Sequence, residues 1–167
     1  MNSARLFDLV RNCFWLLVPI LVLNLLLTRD LPAAFQLQQF WRGIPAAIAI
    51  PENALRAVVM ILPVFFRLGI ASHRQQLGLW IYLAGLTAYA SSWIVLVAAP
   101  QSAWAHSAFG FMAPAYTPAI WLAGIALVGE EVVILRLHVN AWIYLSCAAL
   151  FLVFHNFHTG LVYSRGV

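Results

Sequence analysis

The sequence predicts an all-α membrane protein, a polytopic transmembrane helix bundle of about five spans with one interfacial amphipathic segment. Of its 167 residues 64% are hydrophobic and only 8% are charged, whereas soluble domains carry about 25% charged residues. A soluble domain of this length has too much surface for its volume to bury so much apolar material. The apolar residues also fall into runs of about 20, the length that crosses the hydrocarbon core of a bilayer.

The whole chain, residues 1–167, is interpreted as a single transmembrane domain whose apolar runs end at charged, proline or glycine residues. Pro51 and Glu52 suit the first turn of a helix. Backbone N–H groups there have no partner within the helix, so proline, which has no N–H, loses nothing, and glutamate complements the positive helix end. Pro100 stops the third run. The predicted interfacial segment covers residues 31–43, and the predicted spans cover residues 11–28, 51–69, 77–99, 117–136 and 140–163.

The third predicted span carries small residues at Ala84, Ala88 and Ser92, one every four positions. Residues four apart lie on one face of a helix. Small side chains on such a face let a second membrane helix approach closely. We therefore expect this face to contact another span.

The basic residues are all arginine and are spread along the chain. Nucleic-acid-binding proteins gather such residues into one patch, so we expect no nucleic-acid partner. Arginines at the ends of apolar runs instead contact lipid headgroups and orient the spans, which makes the lipid bilayer the expected surrounding. The excess of arginine in short loops favours a cytoplasmic N-terminus and an outside C-terminus, in a bacterial inner membrane. The predicted inner side carries Arg5, Arg11, Arg67, Arg74 and Arg136.

Ionisable residues within predicted spans are candidate functional residues, because burying them in a bilayer is costly. A rise of about 1.5 Å per residue places Glu130 and His155 at depths about 13 Å apart, so they should not share one site. The same arithmetic predicts two clusters. The outer cluster comprises Glu52, Arg56, His155 and His158, and the inner cluster comprises Glu130, Glu131 and Arg136.

The paired carboxylates Glu130 and Glu131 admit two interpretations. Mutual repulsion and desolvation raise the pKa of at least one of two adjacent carboxyl groups, which suits a general base or a proton carrier. Alternatively, they form an ion-pair network with arginines of the inner face such as Arg67 and Arg74.

The two histidines His155 and His158 stand three residues apart and share one helical face. That spacing can hold one metal ion or a haem-type group, which makes haem or pigment binding a candidate role. Alternatively, each imidazole is hydrogen-bonded to backbone or to water near the membrane surface. No metal site is predicted, because two ligands do not close one, and the sequence specifies no cofactor.

The last part of the chain resembles the CAAX-type intramembrane glutamic proteases. Glu130-Glu131 followed by Arg136 is similar to the EExxxR motif of that family, and Phe151 with His155 forms an FxxxH motif. In the family a glutamate activates water and histidines stabilise the reaction. The resemblance therefore implies Glu130, Glu131 and His155 as catalytic residues. The arginine comes one residue late, as EExxxxR, and no HxxxN or HxxxD motif follows.

The function expected first is that of a non-catalytic accessory or scaffolding subunit of a membrane complex, with other membrane-protein subunits as partners. Seven Trp and eleven Phe offer large contact surfaces, and the motifs do not form a complete catalytic set. Three alternatives stay open. They are an intramembrane hydrolase resembling the CAAX-type glutamic proteases, a proton or solute pathway, and a haem- or pigment-binding membrane protein.

Overall fold

A computed structural model gives the structure of residues 11–130, 132–134 and 137–166, and this part of the chain is mostly helical. The long helices are α1 (Val18–Leu27), α2 (Ala46–Ile61), α3 (His73–Ala98), α4 (Pro118–Val128) and α5 (Ala141–Tyr163). Single α-helical turns lie at Leu37–Phe40, Ala103–His106, Ala108–Phe111 and Ala113–Tyr116. Turns of 3-10 helix lie at Cys13–Leu16, Ala33–Phe35 and Leu62–Val64.

Three of these helical segments are long and apolar enough to cross a membrane, namely Ala46–Val64, His73–Ala98 and Ala141–Tyr163. Two further apolar segments, Cys13–Leu27 and Ala113–Val128, are shorter. The length and composition of these helices support the prediction of a membrane helix bundle, but they do not confirm five crossings.

Helix α2 begins earlier than the sequence predicted. It starts at Ala46, with Pro45 as the residue that caps it, so Pro51 lies inside the helix and not at its first turn. Proline is tolerated within membrane helices, because neighbouring groups can satisfy the backbone carbonyl that it leaves free. Residues 46–50, which lie outside the predicted span, therefore lengthen this helix.

Helix α4 ends at Val128, whereas the predicted span continued to residue 136. Gly129 turns the backbone to an extended conformation, with φ −65° and ψ 133°. Two antiparallel strand pairs replace the expected helix, and the β-branched residues of the run Val132–Ile134 favour that conformation. The strands are β1 (Arg67–Leu68) paired with β2 (Gly129–Glu130), and β3 (Val132–Ile134) paired with β4 (Leu137–Val139).

The core is centred on α3 packed against α4, with α5 packed against α2 and α4. The buried positions of α3 recur every three or four residues, at Gln75, Gly78, Tyr82, Gly85, Tyr89, Ser92 and Leu96. A methyl group added at Gly78 would lie 2.9 Å from the backbone nitrogen of Val128. One added at Gly85 would lie 2.9 Å from the Cα atom of Trp121. Glycine at these two positions therefore allows the two backbones to touch.

The small-residue contact on α3 was predicted on the wrong face. Ala84 is exposed and Ala88 is partly buried, and of the three predicted positions Ser92 alone is fully buried. The contact with α4 runs instead through Gly78 and Gly85, which belong to the neighbouring row of side chains.

Candidate functional site

Glu52 of α2 lies at the centre of a buried polar cluster and is 0% exposed to solvent. Its Oε1 atom accepts a hydrogen bond from Arg56, one helical turn further along α2. The same Oε1 lies 2.9 Å from Nδ1 of His155, and Oε2 lies 2.6 Å from Nδ1 of His158. The four residues that the sequence analysis grouped together therefore contact one another through Glu52, as predicted, and we call them the Glu52 cluster.

The hydrogen-bond partners of His158 determine where its protons lie. Its Nε2 atom is 3.0 Å from the carbonyl oxygen of Phe40. A carbonyl oxygen can only accept, so Nε2 carries a hydrogen. The 2.6 Å contact between Nδ1 and Glu52 Oε2 also requires a proton, on one atom or the other. His158 and Glu52 together therefore hold one proton more than a carboxylate beside a neutral imidazole.

His155 has a different arrangement. Oε1 of Glu52 accepts a hydrogen bond from Arg56 and carries no hydrogen of its own. The hydrogen in its contact with His155 therefore lies on Nδ1 of the imidazole, which donates to Oε1. The carboxylate thereby fixes the tautomer, and Nε2 of His155 carries a lone pair. The His155 side chain is 19% exposed and forms part of a cavity wall.

That cavity has a volume of about 590 Å³ and lies between α1, the segment 31–41, α2, α3, α4 and α5. Much of its wall is apolar and aromatic, including Ile20, Phe35, Met60, Trp93, Trp121 and Phe151. Arg56, His155 and Thr159 bring polar groups to the wall beside the Glu52 cluster, and Asn24, Thr28 and Gln36 also line it. Among the described residues that line it, Arg56 alone carries a formal charge, because Glu52 is hidden behind Arg56 and the two histidines.

Aromatic rings hold the Arg56 guanidinium and the His158 imidazole in place. The guanidinium carbon lies 5.7 Å from the ring centres of both Trp41 and Phe151, within the range of a cation–π interaction. The His158 ring centre lies 4.2 Å from that of Phe40 and 4.5 Å from that of Trp41. Phe40 and Trp41 belong to the segment predicted to be interfacial, so this segment contributes to the site. Sequence reasoning missed that contribution, although the aromatic residues of the segment were a signal for it.

Glu130, which belongs to the predicted inner cluster, has separate partners. Its Oε2 atom lies 3.8 Å from Nε of Arg67, and its Oε1 atom accepts from Gln75 at 3.2 Å. Arg74 donates to the carbonyl oxygen of Gly129 at 3.2 Å. The Glu130 side chain is 42% exposed, so this ion pair is worth at most about 1 kcal/mol. Glu131 and Arg136 lie outside the described residues.

The predicted site residues thus fall into two groups with different partners. His155 is hydrogen-bonded to Glu52, whereas Glu130 accepts a hydrogen bond from Gln75 and forms an ion pair with Arg67. This separation agrees with the predicted difference in their depth. Within the described ranges no group of three His, Cys, Asp or Glu residues could hold a metal ion. The catalytic roles of Glu130, Glu131 and His155, and the cofactor-binding roles of His155 and His158, stay predictions.

Comparison with protein-family models, with curated proteins and with solved structures gives no match to this chain. The resemblance to the CAAX-type proteases therefore depends on the short motifs alone.

Proposed function

We propose that this membrane protein binds an elongated apolar molecule in the cavity and holds a polar group of that molecule at Arg56 and His155. The observation that carries the proposal is a cavity of about 590 Å³ whose wall is largely apolar and in which, among the described lining residues, Arg56 alone carries a formal charge. Ligand sites in proteins are typically about 300–1,000 Å³, mostly apolar, and carry a few fixed polar groups that orient the ligand. Glu52 and the rings of Trp41 and Phe151 supply that fixation here.

Blocking the cavity tests the proposal. Met60 lines the cavity, and Met60→Trp would fill part of it. Leu25→Trp is the matched control, because Leu25 is 75% exposed and does not line the cavity. A fluorescent palmitoyl probe should bind saturably to the wild-type protein and to the Leu25 variant, and more weakly to the Met60 variant. Equal binding by all three proteins would refute a site in this cavity.

Acid–base chemistry on the bound molecule is a second candidate function. It is supported by the 2.9 Å hydrogen bond from His155 to Glu52, because a carboxylate on one ring nitrogen makes the other a better proton acceptor. If His155 is the base in a hydrolysis, His155→Gln should abolish turnover of a palmitoyl ester even at ester concentrations that saturate the variant. If the resemblance to the CAAX-type proteases describes the reaction instead, Glu130→Gln or Glu131→Gln should abolish it.

Our proposal extends to the number of membrane crossings, the orientation of the termini and the partners of the protein. We propose five crossings of a bacterial inner membrane, with the N-terminus in the cytoplasm and the C-terminus outside. The apolar segments Cys13–Leu27 and Ala113–Val128 would supply the two additional crossings. Alkaline phosphatase fused after Arg165 should then be active, and an inactive fusion would reverse the orientation. An accessory role in a complex predicts that larger subunits co-purify in mild detergent, and a clean monomer would count against it.

A further inference from the structure

We infer that the cavity ligand is an anionic amphiphile, a carboxylate or a phosphate attached to an acyl chain. This inference rests on the proposed function, since it names the chemical class of the molecule that the cavity would bind. Three observations lead to it: the charge of the Glu52 cluster, the unused donors of Arg56, and the apolar wall beside them.

The Glu52 cluster carries one positive charge that no member of the cluster balances. The charges of Glu52 and Arg56 cancel. The contact of His158 with the Phe40 carbonyl and its contact with Glu52 Oε2 require one additional proton. The net charge is the same whether that proton lies on the histidine or on the carboxyl group.

The positive charge has no counter-ion within the cavity. None of the described residues that line the cavity is a carboxylate. An unbalanced charge in apolar surroundings is costly, and an anion placed beside it offsets that cost. The cavity is therefore electrostatically suited to an anion and unsuited to a cation.

Arg56 has hydrogen-bond donors left for such an anion. A guanidinium carries five N–H donors in a planar fork, and the described residues offer Arg56 one hydrogen bond, which Glu52 accepts. Its side chain is 34% exposed and lines the cavity. The fork matches the oxygens of a carboxylate or a phosphate, which it can bind through two parallel hydrogen bonds.

The apolar wall determines the remainder of the ligand. Beyond the polar groups, the cavity surface is formed by aliphatic and aromatic side chains, among them Ile20, Phe35 and Trp121. A small inorganic anion would leave this surface without a partner, whereas an acyl chain would cover it. The combination points to an amphiphile with its anionic head at Arg56.

The test compares three ligands that share the palmitoyl chain. Displacement of the fluorescent palmitoyl probe from the purified protein measures the affinity of each ligand. The ligands are palmitic acid, palmitoyl lysophosphatidic acid and neutral monopalmitoylglycerol. We expect at least one of the anions to bind about tenfold or more tightly than the neutral ligand. Whichever anion binds more tightly identifies a carboxylate or a phosphate as the head.

Variants locate the effect. Arg56→Gln should bring the ratio of anionic to neutral affinity close to one, and Arg56→Lys, which keeps the charge, should retain part of the preference. Arg165→Gln is the matched control, because Arg165 is exposed and does not line this cavity. A preference that survives Arg56→Gln in a folded protein would overturn the inference.

The wild-type protein alone also decides the question. Equal binding of neutral and anionic ligands would overturn the anionic head but leave the proposed binding function intact. Failure of every ligand to displace the probe would refute the binding function and the inference together. The two failures are therefore distinguishable without any variant.

Discussion

Replacing Glu52 with leucine should destabilise the protein more than any other single change of one polar side chain in the described structure. The carboxylate is fully buried, and Arg56, His155 and His158 form three hydrogen bonds with it. Leucine has a similar volume but no hydrogen-bonding atom in its side chain, so all three contacts would be lost. Glutamine is unsuitable for this test, because its carbonyl oxygen can accept from Arg56 and His155 and its amide can donate to Nδ1 of a neutral His158.

Two sets of measurements bound the size of the effect. Side-chain hydrogen bonds in membrane proteins contribute about 0.6 kcal/mol on average and at most about 1.7 kcal/mol each, so three of them give about 2 to 5 kcal/mol. Breaking a buried ion pair in a soluble protein costs about 3 to 5 kcal/mol, largely because the remaining charge is stranded. Arg56 retains 34% exposure of its side chain, so that penalty is reduced here. We therefore expect a loss of about 2 to 4 kcal/mol in the free energy of unfolding.

Unfolding in mixed micelles with increasing dodecyl sulfate, followed by circular dichroism, would measure this loss. The expected change corresponds to a rise in the unfolding equilibrium constant of roughly 30-fold to 700-fold. Asp30→Asn is the matched control, since Asp30 is exposed and should change the free energy by less than about 0.5 kcal/mol. If Glu52→Leu were no more harmful than this control, the three hydrogen bonds to Glu52 would not stabilise the protein and the reasoning would be refuted.

Three further predictions concern the packing of the bundle. Gly85→Ala should lower the free energy of unfolding by about 1 to 3 kcal/mol, because the added methyl meets the backbone of α4. Gly160→Ala is its control, since the nearest atom to the added methyl would be Met112 Cε at 3.8 Å; equal losses would show that no close contact exists. Tyr82→Phe should lower the free energy of unfolding by about 1 kcal/mol, because it removes the 2.7 Å hydrogen bond to the Leu16 carbonyl. No change in the same unfolding assay would show that this bond does not stabilise the protein. A small maleimide in detergent should label the partly exposed Cys147 faster than the fully buried Cys13, and equal rates would contradict the burial of Cys13.

The contacts of Glu52 could be predicted from the sequence because they follow from constant helix geometry. A fixed rise per residue determines the depth of each residue in a membrane helix. Glu52, near the start of α2, and His155 and His158, near the end of α5, therefore come to the same depth. The i, i+4 spacing of Glu52 and Arg56 gives their contact directly.

The end of α4 could not be predicted from apolarity, because an apolar run does not distinguish a helix from a strand. Beyond Glu130 and Glu131 the apolar run resumes at residues 132–135, and its β-branched residues were the signal for the strands. Arg67 was one of the ion-pair partners that the sequence suggested for Glu130 and Glu131. The strand register that places Arg67 opposite Glu130 spans a large sequence separation, and local patterns do not specify it.

The cavity could not be predicted either, because it depends on how the helices tilt and on where the segment 31–41 lies against them. The same limitation explains the error on α3. Rows of side chains at three-residue and four-residue spacing run side by side on a helix, and the sequence offered Ala84 with Ala88 in one row and Gly78 with Gly85 in the next. The tertiary contact determines which row is used.

The long sequence separation within the Glu52 cluster has a consequence for biosynthesis. The histidines that contact Glu52 follow it by 103 and 106 residues. At ribosomal speeds of about 5–20 residues per second, they are made about 5–20 s after the carboxylate. Arg56 is made within a second of Glu52, on the same helix face. The arginine can therefore accompany the carboxylate into the bilayer as an ion pair, and the histidines complete the cluster only when α5 docks.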